Sequence, residues 1–186
     1  MNPIGLNVPN AITLARLLCA PLVIWLILGD RYGTAFGVFV AAGVSDGLDG
    51  FIAKRFDMRT RLGALLDPIA DKTLLVSVFV ALGMEAKLPD WLVILVVFRD
   101  VMIIGGYMLI QVTAAARQFD PLYISKINTA MQIVLVSFVL AKLGIGFSDG
   151  PVTPILVWAV AATTVLSGGS YFVRWARILS GAEPAL

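Results

Sequence analysis

Histidine is missing from this sequence of 186 residues, and cysteine occurs once. Without histidine, the usual zinc sites and all His-based catalytic triads are excluded. The lone Cys19 lies within an apolar stretch, so disulfide bonds cannot be part of the fold. A catalytic base in this chain must therefore be a carboxylate, a lysine or a tyrosine.

Charged side chains are also scarce. They make up 14% of the residues with a net charge of +2, and they form no basic run that would favour nucleic acid as a partner. Hydrophobic residues make up 59% of the chain, and the mean hydropathy is +0.92. This balance lies well outside that of a soluble domain and predicts an integral membrane protein.

Six apolar segments approach the length of about 20 residues that a helix needs to cross a bilayer core. They lie at residues 11–28, 34–53, 62–84, 88–112, 124–143 and 153–176. We therefore predict an all-α membrane protein with six transmembrane helices in a single domain, residues 1–186. A short interfacial segment, NVPNAIT, is expected before the first span. The start of the chain has no basic region typical of a cleaved signal peptide, so we expect 1–186 to be the mature chain.

Basic residues gather on alternate connections between these segments and at the end of the last one. They are Lys54, Arg55, Arg59, Arg61, Arg117, Lys126, Arg174 and Arg177. The opposite loops hold about as many acids as bases. The positive-inside rule places the basic connections and both termini in the cytoplasm.

Four aspartates interrupt the apolar pattern in the stretch SDGLDGFIAKRFDMRTRLGALLDPIADK, residues 45–72. Asp46 and Asp49 are three residues apart and Asp67 and Asp71 are four apart, so each pair shares one face of its helix. The short connection makes the two helices a hairpin, and the pairs can converge near its cytoplasmic end. Four carboxylates in a low dielectric need a positive partner. Oxygen ligands favour a hard divalent cation such as Mg²⁺, Mn²⁺ or Ca²⁺.

Other interpretations of these residues remain open. Intramembrane acids can form the proton relay or ion site of a cation transporter. The neighbouring glycines can serve helix packing in a purely structural membrane protein, and single aspartates can cap helices. Capping accounts for one or two of the four, and transporters more often distribute ionisable groups over broken helices near the middle of the membrane.

The full motif resembles the signature of the CDP-alcohol phosphatidyltransferase family. It reads Asp46, two residues, Asp49-Gly50, two residues, Ala53, and later Gly63, three residues, Asp67, three residues, Asp71. The segments VPNAITLARLLCAP and LLDPIADKTLL extend the similarity to bacterial phosphatidylglycerophosphate synthases and to cardiolipin synthases of this family. One position departs, because Lys54 stands where the family usually has arginine.

The resemblance implies a dimer of six-helix protomers with a polar cavity that faces the cytoplasm, as expected for a bacterial inner-membrane enzyme. It implies CDP-diacylglycerol as the donor and two divalent ions, Mg²⁺ or Mn²⁺. The implied metal ligands are Asp46, Asp49, Asp67 and Asp71, with Asp71 also the general base. The nucleotide is expected near Gly50, Ala53, Lys54 and Gly63.

The acceptor alcohol has to be inferred from residues outside the motif. Arg99, Lys126 and Arg117 are candidates for binding its phosphate, although Arg99 could equally pair with the adjacent Asp100. The stretches FRDVMIIGGY and PLYISKINTAMQIVLV look more like mitochondrial-type cardiolipin synthases, whose acceptor is phosphatidylglycerol. Phosphatidylglycerophosphate synthase, with glycerol 3-phosphate as acceptor, is the alternative within the same chemistry.

Overall fold

The computed structural model describes the backbone of residues 8–55, 61–113 and 122–179, and the side chains of residues 14–45, 72–106 and 122–177. Within these ranges the chain forms six helices and no strand. The helices are α1 Val8–Leu28, α2 Tyr32–Arg55, α3 Arg61–Met84, α4 Asp90–Thr113, α5 Tyr123–Ile145 and α6 Val152–Leu179. The prediction of an all-α chain with six helical segments is confirmed, since each predicted segment overlaps one helix over nearly its whole length.

The start of α1 includes most of the predicted interfacial segment, residues 7–13, whose place at the membrane surface stays a prediction. The helix begins at Val8 and continues to Leu28, so most of that segment forms the first turns of α1. Pro9 does not interrupt the helix because a proline in the first turn removes only an N–H that has no partner within the helix.

Two helices end in Schellman motifs built on residues other than glycine. At the end of α1, Arg31 N–H donates to the Leu26 carbonyl (2.9 Å) and Asp30 N–H to the Ile27 carbonyl (3.0 Å), with Asp30 at φ 57°. At the end of α3, Ala86 takes the same role at φ 51°. These left-handed residues satisfy the last carbonyls and turn the chain out of each helix into a short connection.

The described residues form two compact units. Unit 1 contains α1, α2, α3 and the second half of α5, from Val136 onward. Here α1 packs against α2 and α3 around apolar side chains including Val23, Ile27 and Phe79. The end of α5 meets the start of α2 backbone to backbone, since a Cβ on Gly144 would lie 2.5 Å from the Gly33 Cα.

Unit 2 contains α4, α6 and the first half of α5, up to Leu135. Its α4 packs against α6. Trp175 of α6 fills the space above Gly106 of α4, where a Cβ would lie 2.1 Å from the indole ring. Trp91 and Trp158 stack near the other end of the same helix pair, with ring centroids 5.3 Å apart. The prediction of a single domain over the whole chain stays a prediction.

Large apolar side chains cover much of the exposed surface. Ile94 and Phe98 on α4 and Trp158 and Phe172 on α6 are each about two-thirds exposed (65–68%). Tyr123–Ile145 and Val152–Arg177 are long and apolar enough to cross a membrane, and only 33% of the most apolar window of each is buried. A soluble protein rarely exposes so much apolar surface, so the surface suits contact with lipid. Six membrane spans and cytoplasmic termini remain predictions.

Candidate active site

The four aspartates of the sequence motif all lie in helices. Asp46 and Asp49 belong to α2, and Asp67 and Asp71 belong to α3. Helix α2 continues through both aspartates to Arg55 despite the glycines between them. The helical spacing that the metal hypothesis requires is therefore present in the backbone, while the four side chains lie outside the described residues.

The other residues of the predicted nucleotide site also lie in helices, and their side chains are likewise outside the described residues. Gly50, Ala53 and Lys54 lie in α2 and Gly63 lies in α3, at positions whose side chains are not described. Arg117 lies wholly outside the described residues. Among the side chains that the structure does describe, no group of three or more Asp, Glu, Cys or His residues could hold a metal ion. The predicted metal site thus stays a prediction.

Arg99 is the centre of a buried polar contact set in unit 2. Its guanidinium is 3% exposed, and Nη1 donates to Asp100 Oδ1 at 2.6 Å. The other terminal nitrogen, Nη2, donates to Ser125 Oγ of α5 at 2.6 Å and to Ser167 Oγ of α6 at 2.5 Å. Of the two alternatives for Arg99, the structure shows the pair with Asp100. Contact of Arg99 with a phosphate stays a prediction.

Lys126 lies beside this contact set in sequence and differs from Arg99 in its surroundings. It is exposed in the first turn of α5, directly after Ser125, and it forms no ion pair with a described carboxylate. An exposed ammonium group is free to approach an anionic headgroup. Arg99 and Lys126 therefore both lie at the first turn of α5, and a shared role at the acceptor stays a prediction.

A second layer of polar contacts lies one helical turn further along α5. Asn128 is fully buried, and its side-chain oxygen accepts hydrogen bonds from Thr163 and Thr164 of α6, both at 2.9 Å. One turn beyond, Gln132 is also fully buried. We call Asn128 and Gln132 of α5 with Thr163 and Thr164 of α6 the amide layer. The amide layer follows the Arg99 contacts along α5 and does not include Arg99.

Sequence analysis did not single out the amide layer or the two serines that bind Arg99. Each is one uncharged polar residue within an apolar segment, which is common in membrane helices. The available signal was the spacing of Ser125, Asn128 and Gln132 on α5, at three and then four residues, which places them on one helix face. An apolar helix with three polar residues on one face indicates a buried polar contact surface.

Comparison with known proteins agrees with the motif. Residues 6–166 match the family model described as CDP-alcohol phosphatidyltransferase. The chain belongs to the CDP-alcohol phosphatidyltransferase family, as the spacing of the aspartates on α2 and α3 predicted.

Similar proteins divide between two activities. Over 93% of its length, the chain is 32% identical to "CDP-diacylglycerol--glycerol-3-phosphate 3-phosphatidyltransferase 1, chloroplastic" of Oryza sativa, of which the match covers 58%. It is 35% identical over 89% of its length to "Cardiolipin synthase (CMP-forming)" of Homo sapiens, with 60% of that protein covered. It is 30% identical over 94% of its length to "Probable phosphatidylglycerophosphate synthase" of Mycobacterium tuberculosis, with 84% covered. The chain thus spans about six tenths of the first two relatives and most of the third.

Proposed function

We propose that this protein transfers a phosphatidyl group from CDP-diacylglycerol to a hydroxyl of phosphatidylglycerol, giving cardiolipin and CMP. The observation that carries the proposal is the family motif set on two continuous helices, with Asp46 and Asp49 in α2 and Asp67 and Asp71 in α3. Carboxylate pairs at helical spacing are suited to holding divalent cations beside a pyrophosphate.

The donor set fits Mg²⁺ or Mn²⁺, since it consists of four carboxylates without sulfur or imidazole. Asp46, Asp49, Asp67 and Asp71 would hold the ions, for which we propose two. When bound, the metal neutralises the pyrophosphate and makes CMP a better leaving group. Gly50, Ala53, Lys54 and Gly63 would lie along the nucleotide, where small residues let the ligand approach the backbone.

The transfer forms one P–O bond and breaks another. The acceptor hydroxyl oxygen attacks the phosphorus that bears the diacylglycerol, and the bond from that phosphorus to CMP breaks, so CMP leaves with its own phosphate. Asp71 takes the proton of the attacking hydroxyl as general base. No oxidation or reduction occurs. Each phosphate of the cardiolipin product is a phosphodiester with one negative charge.

The charges described in unit 2 support a phosphodiester acceptor. Arg99 is balanced by Asp100 at 2.6 Å, so the pair brings little net charge to the buried contacts. Of the two predicted acceptor cations that the structure describes, Arg99 and Lys126, Lys126 has no carboxylate partner among the described residues. Phosphatidylglycerol carries one negative charge and needs fewer cations than the phosphate of glycerol 3-phosphate. Lys126 and Arg117 would contact the acceptor phosphate, with Arg99 beside them.

Phosphatidylglycerophosphate synthesis is the second candidate. It is supported by the relatives of Oryza sativa and Mycobacterium tuberculosis, whose names give this activity. Both candidates share the donor, the metal and the aspartates, and they differ in the acceptor. For either one, we propose a homodimer of six-span protomers in a bacterial inner membrane, with both termini and the active site facing the cytoplasm.

Measurement of CMP release tests the proposal. Purified protein in detergent is given CDP-diacylglycerol and Mg²⁺, with phosphatidylglycerol or glycerol 3-phosphate in separate reactions. We expect release with phosphatidylglycerol and formation of cardiolipin, both lost on metal chelation and in Asp49→Ala. Release with glycerol 3-phosphate alone would overturn the acceptor and retain the mechanism. Release that survives both chelation and Asp49→Ala would remove the metal hypothesis, and ion flux without CMP release would favour a transporter.

A further inference from the structure

Arg16 of α1 is the one buried charged side chain in the part of unit 1 that the structure describes, and it is 3% exposed. The proposed mechanism gives it no role. Arg16 shares a helix face with Ala20, Val23 and Ile27, all at most 3% exposed, on the helix that packs against α2 and α3. Burial of an arginine is costly unless nearby groups balance its charge. A buried cation on this face therefore indicates acidic partners on α2 or α3.

The acidic side chains that the structure describes in unit 1 lie at the opposite end of these helices. They are Asp30, which follows α1, and Glu85, which follows α3. Tyr32, the first residue of α2, donates a hydrogen bond to Asp30 (2.8 Å), and its ring centroid lies 5.8 Å from the Lys87 ammonium. The end of α1, the start of α2 and the end of α3 therefore meet at one level.

Three residues lie at the same depth when counted from that level. Arg16 precedes Asp30 by 14 residues, and Asp46 follows the first residue of α2 by 14. Asp71 precedes Glu85 by the same number. Each interval is helical over nearly its whole length and corresponds to about 21 Å. The backbone thus places Arg16, Asp46 and Asp71 at one depth, in α1 and in the two helices that pack against it.

The positions of these two aspartates also continue the buried faces of their helices. On α2, Phe39 and Ala42 are each 6% exposed, and Asp46 follows Ala42 by four residues. On α3, Asp71 precedes the buried Leu75 by four residues. Residues four apart share one face of a helix. Positions 46 and 71 therefore suit a partner of the buried cation in both depth and helix face.

We propose that Arg16 is a positioning residue of the aspartate site, and that its guanidinium pairs with the carboxylates of Asp46 and Asp71. A guanidinium carries five N–H donors in a planar fork and can serve two carboxylates at once. The pairing balances charge in the metal-free protein and holds both carboxylates in place for the divalent ions. The inference rests on the proposed function for the role of the two aspartates as metal ligands.

Thermal unfolding of the metal-free protein tests the pairing without turnover. Full-length protein in detergent is treated with a chelator. Arg16→Met removes the charge and keeps an unbranched side chain, and we expect the unfolding midpoint to fall by roughly 5 °C or more. Arg31→Met is the control, because Arg31 is exposed at the opposite end of α1, where its guanidinium lies 5.4 Å from the Trp25 ring centroid. It should shift the midpoint much less.

Double-mutant cycles identify the partners of Arg16. Asp46→Asn and Asp71→Asn should each raise the midpoint more in the Arg16→Met background than in the wild type, because each removes a carboxylate that has lost its cation. Asp67→Asn is the comparison, since Asp67 lies one turn nearer the start of α3, and its cycle should show a clearly smaller coupling. Absence of coupling with both Asp46 and Asp71 would overturn the inference, as would an equally large coupling with Asp67.

Two further measurements distinguish pairing from simple packing. Arg16→Lys keeps the charge and should have a higher midpoint than Arg16→Met. If Arg16→Met yields no folded protein, the cycles are run with Arg16→Lys, and the same two aspartates should couple. Saturating Mg²⁺ should reduce the deficit of Arg16→Met, because the ions supply positive charge to the same carboxylates. An unchanged deficit, with Arg16→Lys no better than Arg16→Met, would overturn the inference.

The outcomes separate this pairing from the proposed function. The cycles are measured without substrate or metal, so they report on Arg16 whether or not the protein is a transferase. If the coupling is found and wild-type protein releases no CMP with either acceptor, the pairing stands and the proposed transferase function fails.

Discussion

The two units bury different kinds of side chain. Seven polar or charged residues are buried among the described side chains, and Arg16 is the one in unit 1. The other six lie in unit 2: Arg99, Asp100, Asn128, Gln132, Thr164 and Ser167. The side chains of unit 1 that the structure describes, residues 14–45, 72–88 and 136–148, are packed mainly through apolar contacts and the Gly33–Gly144 approach.

The described parts of the two units are therefore held together by different kinds of contact. Apolar packing depends on shape alone, and in unit 1 it supports the helices that carry the proposed metal ligands. Polar groups demand directional partners, and unit 2 leaves several of them unmet. Polar contacts of this kind fix the mutual orientation of α4, α5 and α6 within unit 2.

The largest effect is expected from Asp71→Asn in unit 1. The amide cannot accept the hydroxyl proton, so kcat should fall at least about 100-fold, the usual contribution of a general base. Binding of CDP-diacylglycerol should be retained better than turnover, which equilibrium binding and CMP release measure separately. Asp90→Asn, in the exposed first turn of α4, is the control and should keep wild-type kcat. A kcat within a few-fold of wild type for Asp71→Asn would place the base elsewhere.

Removal of Arg99 should be the most damaging change to the stability of unit 2. Arg99→Met leaves the buried Asp100 carboxylate without this cation and should cost about 3–5 kcal/mol of unfolding free energy. Removing both charges in Arg99→Met/Asp100→Leu should cost clearly less, because the carboxylate that has lost this cation is then removed as well. Denaturant unfolding in mixed micelles measures both. If the double variant is as unstable as the single one, the charge pair is not the reason.

The glycine contact of unit 1 offers a matched pair of substitutions. Gly144→Ala places a Cβ 2.5 Å from the Gly33 Cα, where only backbone could move, whereas Gly33→Ala places one 3.6 Å from the Gly144 carbonyl oxygen, an ordinary contact. We expect Gly144→Ala to cost about 1–3 kcal/mol through overpacking. Gly33→Ala should be much milder. Equal unfolding midpoints for the two variants would contradict the close approach.

The smallest effect is expected where a single neutral hydrogen bond is removed from unit 2. Thr164→Val keeps the side-chain shape and deletes the bond to Asn128, which should cost about 1 kcal/mol. Thr163→Val is the comparison, since the Thr163 hydroxyl also lies within hydrogen-bond reach of carbonyls of its own helix. A fully wild-type Thr164→Val would indicate that Asn128 needs no such support.

The helices could be predicted from the sequence because long apolar runs and the residues that end them are local signals. The same holds for the aspartate motif, whose meaning depends on spacing along two helices. The amide layer could not be predicted, because Gln132 and Thr164 each look unremarkable until α5 and α6 are packed together. The pair Arg99–Asp100 illustrates the limit: two alternatives were equal from the sequence, and the 2.6 Å contact shows the ion pair while contact with a phosphate stays a prediction.

If α6 is a membrane span, as we propose, its length has a mechanical consequence. Its 28 residues extend about 42 Å, against a bilayer hydrocarbon core of about 30 Å. A straight helix of this size can stay in contact with acyl chains throughout only by leaning strongly, and otherwise its last turns rise among the headgroups. Arg174 and Arg177 lie in those turns, so in a thinner bilayer they would stand further from the acyl chains, and lipid thickness becomes a variable that acts on this end of unit 2.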